Sequence, residues 1–113
     1  MKQQLIPTLA LAAALIIPAS VFATDGAELF GKYCKKCHGD TGDGDTAMGK
    51  KFEIRDYTDP AVQATVTDEQ LADAIRNGLT NEDGKKVMLA FGNKLSDDEV
   101  QALVEHFRTL AGQ

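Results

Sequence analysis

Cys34-Lys35-Lys36-Cys37-His38 is the stretch of this chain whose residue types and spacing can do chemistry. Two cysteines three apart, with a histidine directly after the second, form the pattern of covalent c-type haem attachment. Residues three apart share a face on a turn of helix. Both sulfurs can then reach the two vinyl groups along one haem edge and become thioethers. His38 follows at once and can bring its imidazole to the iron, for which histidine is a common ligand. A Cys-x-x-Cys pair also serves thiol redox and zinc sites. The first needs a β-α-β setting, and the sequence has no convincing strand pattern. The second needs a fourth ligand, and the only other histidine is His106. A disulfide between Cys34 and Cys37 would close a very small loop and stabilise little.

The elements that must position this motif read as helices joined by long loops. A first helix starts near Thr24 or Asp25, with Asp25 and Glu28 in an approximate capping pattern. It carries Ala27, Phe30 and Cys34 at helical spacing and Cys37 in its final turn. Gly39 stops it. Gly26 is a poor interior helix residue, explained equally well by a close helix neighbour or a frayed turn. Residues 39–49 are rich in Gly and Asp and read as a loop around one haem edge. Asp40, Asp43 and Asp45 do not follow the EF-hand order, so calcium is not indicated. Phe52, Ile54 and Tyr57 suggest a short extended piece against the haem, with Arg55 and Tyr57 as donors for its propionates. Asp59-Pro60 caps about one helical turn.

Two capping boxes mark better helices. Thr67 and Gln70 form one, with Val66 and Leu71 as its hydrophobic staple. Leu71, Ala74 and Ile75 are the buried face, and Gly78 is the stop. Ser96 and Glu99 form the other, with Leu95 and Val100 as staple. Val100, Leu103, Val104, Phe107 and Leu110 then line one face. Between them, Val87 to Gly92 is apolar but too short and irregular for a helix. The predicted architecture is all-α, with three main helices and long loops. Loops of this length normally count against so small a domain; wrapping a prosthetic group removes that objection.

Compartment and charge agree with the motif. Lys2, an apolar run over Leu5–Ile17 interrupted by Thr8, and Val21-Phe22-Ala23 predict a signal peptide over 1–23, cleaved after Ala23. The run is shorter than the ~20 residues of a membrane span. One domain, 24–113, remains. It is small enough to be only marginally able to build its own core, and a haem would supply an apolar centre. The formal charge of −5 becomes −6 once Lys2 is removed. Nucleic acid, which binds basic surfaces, is excluded, and steering towards positive patches on partner proteins is favoured.

Cys34-x-x-Cys37-His38 early, Met88-x-x-Phe91 late and a terminal amphipathic helix ending Phe107-Arg108-Thr109-Leu110 follow a known order. In that order the chain resembles the class I c-type cytochromes, the small bacterial monohaem electron carriers, over essentially all of 24–113. Gly26 to Phe30, Cys34 to Gly39, Asp56 to Asp59 and Met88 to Ser96 carry the likeness. It implies the cytochrome c fold, one covalent haem c, thioethers from Cys34 and Cys37, and iron ligands His38 and Met88. It also implies crossing first and last helices, with Gly26 and Phe30 packed on Val104 and Phe107. Two departures stand out. Leu89 occupies the place after the methionine where the family often has proline. No proline follows the haem motif before Asp59, so the usual acceptor for the His38 N–H is missing.

Chain length bears on the sixth ligand. Met48 is ten residues from His38 and, at ~3.5 Å per residue, gets round a haem without slack. Met88 is fifty residues on, with ample length. His106 lies off the apolar face of its helix and reads as a surface residue. With His38 and Met88 both on the iron, no position is left for substrate, and the expected role is a periplasmic, monomeric one-electron carrier rather than an enzyme. Its partners would be a transient redox donor and acceptor, met at a haem edge ringed by Lys35, Lys36, Lys85 and Lys86. Three alternatives remain: an electron-transfer subunit of a larger periplasmic or membrane oxidoreductase, an open-site haem enzyme or sensor, and a thiol protein.

Overall fold

The computed structural model describes residues 25–113 and, of the segment before them, 2–5, 7–10, 12 and 13. The expected cleavage point after Ala23 lies outside the described residues. Among the described residues no helix is long and apolar enough to cross a membrane.

Asp25 caps α1 (Gly26–Tyr33), accepting from the N–H groups of Ala27 (3.0 Å) and Glu28 (3.3 Å). The helix was expected to continue to Cys37. Instead it stops at Cys34, whose φ of −114° lies well outside the helical value of about −63°. A fresh turn, α2 (Lys35–His38), starts on the Cys34 carbonyl, which accepts from Cys37 N–H (3.2 Å) and His38 N–H (2.9 Å). The two cysteines therefore still share one turn.

The stretch expected as loop up to Gly49 ends in a short helix, α3 (Ala47–Lys51). Thr46 caps it, and the loop before it is tied back by Gly44 N–H donating to His38 O (2.7 Å). Phe52 to Tyr57 is turns and irregular chain rather than an extended piece. The single turn at Asp59 is α4 (Pro60–Gln63), and Asp59 caps it.

Both predicted capping boxes form, on α5 (Asp68–Asn77) and α6 (Asp97–Thr109). The buried face of α5 is Leu71, Ala72 and Ile75, with Ala74 only half-buried. Between the helices lies a small antiparallel hairpin that the sequence did not suggest, β1 (Leu79–Thr80) and β2 (Lys86–Met88), with Leu79 opposite Met88. Asn81 holds its loop: Oδ1 accepts from Asp83 N–H (3.0 Å) and Lys85 N–H (2.9 Å), an Asx turn.

The helices α1 and α6 cross, and α5 packs on α6. Phe30, Val100, Leu103, Val104 and Phe107 are buried where they meet. Gly26 has its reason here, though against a different neighbour than expected. A Cβ on it would collide with the Ala102 carbonyl and touch His106. His106 is half-buried, its ring 5.0 Å from that of Phe30, and not a surface residue. The architecture is the expected all-α one, with short helices and a two-stranded ribbon between three main helices.

Candidate haem-binding site

A cavity of about 350 Å³ opens between α2, α5, the hairpin and α6. That lies within the ~300–1,000 Å³ of small-molecule and cofactor sites. Cys34, Cys37 and His38 form one side of it. Met88 enters from β2, and Ile75 and Leu79 come from the end of α5 and from β1. Phe52, Ile54, Arg55 and Tyr57 line it although they form no strand. The sequence-predicted residues are thus brought together around one space.

The chemistry of the donor set fits a haem. Both cysteines are free thiols, Cys34 buried and Cys37 half-buried. Burial, with the neighbouring Cys37 adding to it, pushes the Cys34 thiol up to about 12. A reactive redox cysteine needs the opposite shift. Burial lowers the imidazole of His38 to about 4, so it is neutral at ordinary pH and able to bind a metal. His38 Nδ1 is the one buried side-chain nitrogen or oxygen without a partner among the described residues. Nε2 is the nitrogen left to the cavity that His38 lines. No group of three or more metal-binding side chains gathers among the described residues, so the zinc alternative has no support in the fold.

Met48 and Met88 both line the cavity. Only Met88 also packs against the main core. Thr46 is a supporting residue that sequence reasoning missed. Its hydroxyl donates to Cys37 O (2.6 Å) and accepts from Gly49 N–H (2.8 Å), so the cap of α3 also clamps the motif. The signal was a threonine three residues before Gly49, hidden in a glycine-rich stretch. Of the four lysines expected around the site, Lys86 lines the cavity and Lys35 is paired with Asp40 (3.2 Å).

A family model described as "Cytochrome C oxidase, cbb3-type, subunit III" matches residues 22–107. The chain belongs to this family of c-type cytochromes. As such, the cytochrome carries covalently bound haem c with its iron, and electron transfer is the role its family implies. The solved structure named KustC0563 c-type cytochrome is similar at 33% identity and a TM-score of 0.67, over 77% of this chain and 98% of that one. A tyrosine-to-phenylalanine mutant of the same protein is similar at 35% identity and a TM-score of 0.65, over 76% and 98%. No curated protein sequence matches the cytochrome.

Proposed function

We propose that the cytochrome is an exported one-electron carrier in which Cys34 and Cys37 would hold haem c as thioethers and His38 and Met88 would ligate its iron. The observation that carries this reading is the convergence of all four side chains on one apolar cavity. When bound, the haem supplies the ferric–ferrous couple.

The residues of the chain do the rest. Cys34 and Cys37 would hold the haem through thioethers, formed by adding each S–H across a vinyl group, which needs no oxidant. His38 presents a neutral nitrogen. Met88 offers a soft thioether that favours reduced iron, and the buried apolar lining from Ile75 and Phe107 disfavours added positive charge. Both effects raise the potential. Arg55 and Tyr57 line the cavity and carry donors that could reach the propionates; Arg55 is steadied by its bond to Thr65 Oγ1 (2.6 Å).

A leader over 1–23, read from Lys2 and the apolar run after it, would leave the domain 24–113 in the periplasm. The family description also favours a second reading, an electron-transfer subunit of a terminal oxidase. Stable co-purification with membrane proteins would select that reading over a free monomeric carrier.

Visible spectroscopy of the purified protein, oxidised and then reduced, tests the ligand set. The expected result is a six-coordinate spectrum indifferent to carbon monoxide, with a methionine–iron charge-transfer band that Met88→Ala abolishes and Met48→Ala leaves intact. A wild-type spectrum that shifts with carbon monoxide would show an open iron and overturn the carrier reading.

A further inference from the structure

His38 lacks the hydrogen-bond acceptor that ordinarily fixes a ligand histidine, since its buried Nδ1 has no partner among the described residues. Its ring is nonetheless enclosed. The Phe107 ring stands edge-on to it at 5.3 Å and 83°, and the Tyr57 ring lies at 6.0 Å and 58°. Tyr57 and Phe107 also meet each other edge-on, at 5.5 Å. The imidazole therefore packs against two aromatic rings, edge-on to one and tilted to the other.

One side chain pins both walls. Gln63, at the end of α4, is 7% exposed. Its Nε2 donates to the Tyr57 carbonyl (2.8 Å) and to the Phe107 carbonyl (2.6 Å), which spends both amide hydrogens. Its Oε1 accepts from Arg108 Nη1 (2.9 Å). Arg108 is itself fixed, donating to Gln63 O (2.8 Å), Val66 O (2.7 Å) and Asp68 Oδ1 (2.7 Å). The network ties the two residues that wall His38 to each other, across forty-four positions of sequence between Gln63 and Phe107.

We propose that Gln63, braced by Arg108, is the positioning residue for the imidazole of His38, doing through Tyr57 and Phe107 what an acceptor at Nδ1 does elsewhere. The proposal rests on His38 being an iron ligand. It follows that the His38 ring is oriented without being made more basic by an acceptor.

The test uses the haem-loaded ferric protein and proton NMR, in which the spread of the haem ring-methyl resonances reports the plane of the axial imidazole. Gln63→Met keeps the volume and removes every polar atom; Gln63→Glu keeps the acceptor facing Arg108 and removes the two donors. Both are expected to move the ring-methyl pattern while the methionine–iron band persists. Ser96→Ala, which removes the cap at the far end of α6 and touches neither wall nor the Gln63–Arg108 network, is expected to lower stability and leave the pattern in place. A folded, loaded Gln63 variant with the wild-type pattern would overturn the proposal, as would Ser96→Ala moving the pattern equally. Should neither Gln63 variant load haem, Arg108→Lys, which keeps a cation beside Asp68 and loses the fork that holds Gln63, is expected to move the pattern; no movement there overturns the proposal. If the His38 ring protons of the wild type are not paramagnetically shifted, it is the ligand assignment that fails instead.

Discussion

Single residues carry two effects that can be measured apart from the haem chemistry. Thr46 satisfies two backbone groups with one hydroxyl, Cys37 O and Gly49 N–H. Thr46→Val keeps the shape and orphans both. A lost helix cap costs about 0.5–2 kcal/mol, and in a domain of this size each kcal/mol lowers Tm by about 4–8 °C. Thermal melts of the loaded protein should show a drop in that range. His106 gives a pH dependence. Burial against α1 lowers its pKa below the usual 6.5, with Asp25 pulling the other way. The folded state thus resists a proton that the unfolded chain accepts. Stability conferred by the neutral ring is present above about pH 6.5 and is lost as pH falls through the lowered folded-state value. Denaturant midpoints should fall from pH 7.5 to 5.5, and His106→Gln should flatten that part of the fall while leaving the carboxylate-driven loss at lower pH.

At the level of elements, the crossing of α1 and α6 is the joint on which the site depends, because α1 leads into Cys34 and α6 carries Phe107. Gly26→Ala drives a methyl into the Ala102 carbonyl, which is backbone and cannot swing away. Forced contacts of this kind cost about 1–3 kcal/mol. Gly31, on the same helix, has nothing within 4 Å of where a Cβ would stand, so Gly31→Ala should instead stabilise by about 0.5–1 kcal/mol. Opposite signs from one substitution type in one helix, read as chemical denaturation midpoints, would separate the crossing from simple helix propensity. The pair also shows what the sequence could tell. The helices with local signatures were legible: Thr67 with Gln70 and Ser96 with Glu99 each announce a start within four residues. Two other elements were not. The helix α3 contains Gly49 and depends on Thr46 reaching Cys37, and the hairpin strands β1 and β2, of two and three residues, are too short to show an alternating pattern. That Cys34, Cys37 and His38 would face one space was legible because they lie within five adjacent residues. The Gln63 clamp was not, because its two carbonyls come from segments that only the fold brings together.

For the molecule as a whole, the cavity lies beside the packed core. Phe107, Leu71 and Ile75 belong to both, being buried in the core and lining the cavity. A domain of this size is only marginally able to build its own core, and a small domain has about 5–15 kcal/mol of stability in total. Without haem, the apolar lining of a cavity of about 350 Å³ is left to water. The local capping boxes cannot compensate, since they secure helix ends and bury little. Folding and haem loading should accordingly be one event, with the group acting as a ligand that binds only the folded chain. A Cys34→Ser/Cys37→Ser double variant, which cannot form thioethers, is expected to lose most of its far-ultraviolet helical circular dichroism once haem is extracted, and to regain it when haem is added back. A double variant that keeps full helicity and a cooperative thermal transition without haem would show that the protein core is sufficient and that the cavity is merely a binding site.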